Sequence, residues 1–211
     1  MEIIVFGLCV LSYLLGSIPS AVIAGKAYHG IDVREHGSGN AGATNTFRVL
    51  GKKTGSLVLF LDAVKGITAV TLVHLLGNVT PGSERFINLQ LLFGIMAVIG
   101  HIFPIFASFK GGKGIATLLG MVIGIHYLLA LACIGLFLTV LILTRYVSLS
   151  SILATLSFPL FAIFVFKQDE PLLIAFGICA SLLVILTHQK NIKKLLNGEE
   201  NKAKILKKHH K

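Results

Sequence analysis

Glycines alternate with short polar side chains, and one arginine follows, in the stretch His36-Gly-Ser-Gly-Asn-Ala-Gly-Ala-Thr-Asn-Thr-Phe-Arg48. Gly37, Gly39 and Gly42 carry no Cβ, so a ligand can approach the backbone N–H groups closely. Ser38, Asn40, Thr44 and Asn45 add side-chain donors, and Arg48 adds a planar fork suited to phosphate. Together these residues describe a nest for an anion with several oxygens. A merely flexible loop has little need of two asparagines and an arginine among its glycines.

A second stretch reads Phe109-Lys-Gly-Gly-Lys-Gly-Ile-Ala-Thr117. Lys110 and Lys113 flank Gly111 and Gly112, and Gly114 and Thr117 lead into an apolar helix whose positive dipole end faces the loop. The stretch suits phosphate without being a P-loop. Counting back from Gly112-Lys113 puts Ala107 where the first glycine belongs, and Gly114 replaces the Ser or Thr that would hold magnesium. A third group, His188 and Asn191, lies where the last apolar run ends, three residues apart and on one helical face. Asp62 and Lys65 are also three apart, within an apolar run where ionisable groups are costly and face the protein interior. They read equally as a charged wall below a substrate site or as an internal ion pair. Cys9, Cys133 and Cys179 each lie in an apolar run without metal-ligand spacing, and no carboxylate cluster marks a metal site. No metal and no cofactor is expected.

Two phosphate-friendly loops suggest two phosphorylated ligands, or one ligand gripped twice. Acyl transfer from a phosphorylated donor to a phosphorylated alcohol uses both. A carrier or channel for an organic phosphate uses one, near the bilayer midplane. The sequence carries no internal repeat that would favour the carrier.

The elements that must position these loops are membrane helices. Apolar residues make up 55% of the 211 residues, charged residues 13%, and the mean hydropathy is +0.85. A soluble domain needs about a quarter of its residues charged. Apolar runs cover Glu2 to Ala24, Gly55 to Leu76, Leu89 to Phe109, Ser150 to Phe166 and Pro171 to Thr187. Ile115 to Thr144 would run roughly 45 Å as one helix, against a hydrocarbon core of roughly 30 Å. A break near His126 gives seven transmembrane helices. All but Arg85, Lys167 and the intramembrane Lys65 of the 19 Lys and Arg residues then share one side. The positive-inside rule therefore predicts an all-α, polytopic membrane protein with the N-terminus outside and the C-terminus cytoplasmic. The fourth helix is short. Residues 1–211 are expected to form one integral membrane domain, with a polar tail over 197–211 that is a solvated end or an anchor to anionic lipid.

At the three loop groups the chain resembles the bacterial acyl-phosphate-dependent glycerol-3-phosphate acyltransferases. The likeness rests on Gly37 to Asn45 with Arg48, on Gly111 to Thr117, and on His188, Asn191, Gly198 and Glu199. It extends to Gly16-Ser-Ile-Pro19, Asp62-Ala-Val-Lys-Gly66, Gly100-His101 with Pro104, and Ser148-Leu-Ser-Ser151. Ile115 stands where Val is common in that family, and Lys193 where Arg is common. The resemblance implies transfer of a fatty acyl group from acyl phosphate to the 1-hydroxyl of sn-glycerol 3-phosphate, at the cytoplasmic face of the cell membrane. The products would be lysophosphatidic acid and inorganic phosphate, in the first step of phospholipid synthesis. Ser38, His188 and Asn191 would be catalytic. The two loops and Ser148 would bind substrate, supported by Asp62, Lys65 and His101. The expected partners are the two substrates and membrane lipid, with no nucleic acid and no obligate protein partner. No His here has Asp five positions later, so the motif of acyl-CoA-using enzymes of the same activity is missing.

Overall fold

The computed structural model describes residues 1–203, all helix, turn or loop. Nine α-helices occur among them: α1 (Glu2–Ser17), α2 (Ser20–His29), α3 (Ala43–Thr71), α4 (Glu84–Ile102), α5 (Ile115–Ile125), α6 (Tyr127–Thr144), α7 (Val147–Leu160), α8 (Pro171–Thr187) and α9 (Gln189–Leu196). Five helical segments are long and apolar enough to cross a membrane. There are six if the α8–α9 pair, bent by 64°, counts as one, and the apolar α5 is shorter. The expected break is at His126, whose extended backbone ends α5. The last eight residues of the expected polar tail, 204–211, lie outside the described residues.

Other boundaries differ from the hydropathy reading. The first run is not one helix to Ala24. Proline has no N–H to donate, so the ladder breaks at Ile18–Pro19 and α2 restarts at Ser20. The third run stops at Ile102 rather than Phe109, just ahead of Pro104. Gly51, at φ 83°, kinks α3, and Phe47 packs back against Gly55 across the kink. The short helix ahead of the kink carries Thr44, Asn45 and Arg48.

The chain divides into two compact units, Met1–Tyr127 and one beginning at Leu128. In the first, α1 packs on α4 and α3 on α5, with α4 against both α3 and α5. Both principal contacts use glycine. A Cβ on Gly16 would strike the backbone of Ala97, and one on Gly100 the backbone of Tyr13. Across the other contact Gly66 faces the Thr117 carbonyl, and Gly120 faces Ala63. Lipid offers no hydrophobic drive between helices, so close backbone approach through small residues supplies the packing. In the second unit α7 packs on α8, and α9 touches both. Phe158 meets Phe176 edge-on at 5.8 Å, and Ser181 donates to the Thr155 carbonyl at 3.1 Å.

Candidate active site

The first glycine-rich loop is shaped by one buried side chain. Asn45 is 1% exposed. Its Nδ2 donates to the carbonyls of Val33 (2.9 Å) and His36 (3.0 Å), and its Oδ1 accepts from the Ser38 N–H (2.8 Å). The expected ligand contact from the Asn45 amide therefore gives way to a staple that holds the loop. Gly37 and Gly39 take left-handed backbone at φ 64° and 73°, and a Cβ on Gly37 would collide with the Asn45 amide. Ser38, Thr44 and Arg48 are exposed around this frame. The helical ladder starts with Thr46 N donating to the Gly42 carbonyl at 3.1 Å, so the N–H groups of Ala43, Thr44 and Asn45 lie ahead of it. Gly42 has extended backbone open to any residue; Asn40 Oδ1 would lie 2.9 Å from a Cβ placed there.

The second loop packs directly against the first. A Cβ on Gly112 would lie 3.2 Å from the Ala41 carbonyl and would overlap the His101 ring, while Gly111 covers the His101 and Ile102 carbonyls. The Gly112 N–H donates to the His101 carbonyl at 3.1 Å, so this amide positions the loop and is not offered to a ligand. Lys110 is exposed and Lys113 half-buried. Gly114, at φ 79°, turns the chain into α5. Thr117, expected among the binding residues, is fully buried where its carbonyl faces Gly66, and it belongs to the α3–α5 contact.

Below both loops lie the three supporting residues. Asp62, Lys65 and His101 are buried. Lys65 Nζ donates to Asp62 Oδ1 and to the Ile18 carbonyl, both at 2.6 Å, and His101 Nδ1 lies 3.7 Å from the same carboxylate oxygen. Lys65 and His101 line a small cleft of about 10 Å³ together with Ser20, Ala41, Gly111 and Gly112. The internal ion pair and the wall beneath the loops are thus one structure.

The second unit holds His188, Asn191 and Ser148. His188 is 3% exposed at the α8–α9 bend, with Nδ1 2.9 Å from the Val184 carbonyl and 3.3 Å from Thr187 Oγ1. A carbonyl only accepts, so Nδ1 carries a proton. Asn191 Nδ2 donates to Glu200 at 3.0 and 3.2 Å. Glu200, next to the Glu199 of the family motif, thus holds this donor. The Ser148 hydroxyl is buried with no hydrogen-bond partner among the described residues.

Over residues 6–198 the sequence matches the family profile described as Glycerol-3-phosphate acyltransferase. The chain belongs to that family. A glycerol-3-phosphate acyltransferase of Chlorobaculum tepidum is 45% identical over 219 residues, which cover 92% of this chain and 94% of the relative. One from Chlorobium phaeobacteroides is 43% identical over 222 residues, with the same coverage. The fold is similar to that of PlsY (YgiH), an integral membrane glycerol 3-phosphate acyltransferase solved in its glycerol 3-phosphate form. The TM-score is 0.81 at 40% identity, covering 94% of this chain and 95% of PlsY. The lysophosphatidic acid form of PlsY gives 0.79 at 39% identity, covering 94% of each chain. The chain is accordingly an integral membrane acyltransferase, multi-pass and, over the described residues, all-helical.

Two residues of this family member escaped the sequence reading. Asp32 holds the Arg34 guanidinium through Nε (3.0 Å) and Nη2 (2.7 Å), and accepts from the Arg34 N–H at 3.0 Å. The guanidinium keeps the Asp32 carboxyl at about 2, well below its ordinary value. Opposite charges two apart, just ahead of a glycine-rich stretch, were the available signal. They face each other here because Val33–Glu35 forms a 3₁₀ turn capped by Asp32.

Proposed function

We propose that the chain transfers a fatty acyl group from acyl phosphate to the 1-hydroxyl of sn-glycerol 3-phosphate, releasing lysophosphatidic acid and inorganic phosphate. The observation that carries this reading is the packing of Gly112 against the Ala41 carbonyl, which makes the two phosphate-friendly loops neighbours on one surface. Two phosphorylated substrates that react with each other need such neighbouring cradles.

Acyl phosphate is an activated mixed anhydride, so the acceptor hydroxyl attacks the carbonyl carbon directly. The carbon–oxygen bond to phosphate breaks, and phosphate leaves with the electron pair. The hydroxyl proton passes to His188 Nε2 or to an oxygen of the donor phosphate. Catalysis comes from positioning and from neutralising charge. Arg48 with Lys110 or Lys113 holds the glycerol phosphate. The N–H groups of the first loop, with Thr44, hold the acyl phosphate, and Ser38 and His188 orient the hydroxyl. Ser148 offers a buried hydroxyl to the substrate. Asn191 fixes the tail through Glu200 and reaches substrate on release of that contact. Asp62, Lys65 and His101 support the loops from below. The whole chain acts as one domain of seven transmembrane helices, with the N-terminus outside and the two loops and the C-terminus cytoplasmic.

The test uses purified protein with acyl phosphate and glycerol 3-phosphate, following inorganic phosphate and lysophosphatidic acid together. Equal amounts of both products are expected. Phosphate release without acylated product, or acylated product only with acyl-CoA, would overturn the reading.

A further inference from the structure

We infer that Arg34, clamped by Asp32, is a positioning residue that couples the two loops and sets the second for phosphate. The inference rests on the reading that the second loop holds phosphate. Arg34 sits in the 3₁₀ turn that leads into the first loop, between residues fixed by Asn45: the Val33 and His36 carbonyls both accept from that amide. Its side chain reaches away from that turn. Nη1 donates to the Ala107 carbonyl at 3.0 Å, while Nε and Nη2 are occupied by Asp32. All three faces of the fork are therefore engaged, and a lysine has no such fork.

The point of contact matters. The Ala107 carbonyl also accepts from the Lys110 N–H at 3.1 Å, so Arg34 grips the carbonyl that sets the first residue of Lys110-Gly-Gly-Lys113. Between them the chain takes two successive left-handed residues that are not glycine, Ser108 at φ 54° and Phe109 at φ 58°. Such backbone is disfavoured for residues with a Cβ, and it persists only where the surroundings impose it. The Arg34 contact lies at the entrance to this turn. Asp32 fixes the guanidinium; Lys26, 3.9 Å from the same carboxylate, is largely exposed and adds little. A strained turn held by a charged strut lets the first loop dictate the place of the second.

The experiment measures kcat and KM for glycerol 3-phosphate in Arg34→Ala, Asp32→Asn, Ser108→Gly and the pair Arg34→Ala with Ser108→Gly. Loss of a hydrogen bond from a charged group predicts a KM raised by about tenfold in Arg34→Ala, with kcat within about twofold. Asp32→Asn should shift KM in the same direction by less. Ser108→Gly alone should behave as wild type, because glycine adopts the turn freely. In the pair, glycine should recover at least about a third of the lost affinity on a logarithmic scale. An unchanged KM in Arg34→Ala overturns the inference. So does a joint fall in activity and detergent stability that Ser108→Gly fails to relieve. If Arg34→Ala does not fold, Asp32→Asn decides alone, and an unchanged KM there overturns the inference. The pair Lys110→Ala with Lys113→Ala separates the two levels. If it leaves KM unchanged, the phosphate reading of the second loop fails; if it raises KM while Arg34→Ala does not, only the coupling role fails.

Discussion

Arg48 stands exposed on the short helix ahead of the Gly51 kink, beside the loop that Asn45 staples. Its fork suits a phosphate, and a hydrogen bond from a charged group is worth about 1.5–3 kcal/mol. Arg48→Ala should raise KM for glycerol 3-phosphate about tenfold or more and leave kcat nearly intact; saturation curves of the two proteins check this. Gly37 should tolerate no side chain. Gly37→Val combines a disfavoured positive φ with a collision against Asn45, so turnover should vanish while the protein still elutes from detergent as a single species. Near-normal turnover would show that the loop frame is not required. Asp32 supplies the pH signature. Its folded carboxyl lies at about 2 against an ordinary 3.8, so its stabilisation is complete above that ordinary value and disappears as pH falls toward about 2. Thermal midpoints measured across that acid window should fall more steeply for wild type than for Asp32→Asn, which is already less stable at neutral pH. Parallel curves would exclude the Asp32–Arg34 pair as the source.

At the scale of elements, the α3–α5 contact fixes how far the two loops stand apart, because α3 follows the first and α5 follows the second. Gly66→Ile would drive a branched side chain into the Thr117 carbonyl and the Met121 N–H. Overpacking of this kind costs about 1–3 kcal/mol even where neighbours adjust, and backbone adjusts least. A lowered unfolding temperature in detergent is expected, with activity lost in proportion, and an unchanged melting curve would contradict the packing argument. Some of this architecture was legible in the sequence. The break near His126 was suggested by length, since one helix over Ile115–Thr144 would overshoot the bilayer, and was chosen by the distribution of Lys and Arg. The stop before Pro104 was also available, because the residue before proline avoids helix, but the hydropathy of Phe103 to Phe109 masked it. The kink at Gly51 was not legible: a lone glycine in a helical run only lowers propensity, and the packing of Phe47 on Gly55 that accompanies its φ of 83° is a tertiary contact. Asn45 misled for a related reason. A polar side chain among glycines looks like a ligand donor until tertiary contacts bury it, and sequence spacing carries no record of burial.

For the whole molecule, the placing of Lys and Arg along the sequence is what carries the proposed orientation. A reporter active only in the cytoplasm should be active when fused to the C-terminus and silent when fused to the N-terminus. The opposite pattern would reverse the proposed orientation. The donor belongs to this scale too, because it depends on how much surface the loops offer. Acyl phosphate should support turnover and acyl-CoA should not, since two compact loops leave no region of the described chain evidently large enough to recognise a nucleotide. Comparable rates with the two donors would refute this.

The Asp62–Lys65 pair bears on how the protein enters its membrane. Both charges belong to one helix, three residues apart, and their contact needs no other part of the fold. The part of α3 that follows Lys53 can therefore partition into lipid as a segment of zero net charge, before it docks on its neighbours. Docking of α3 on the turn between α1 and α2 then gives the ammonium its second acceptor, the Ile18 carbonyl. Replacing Asp62 alone would leave the Lys65 ammonium to enter the bilayer without the carboxylate that neutralises it within its own helix.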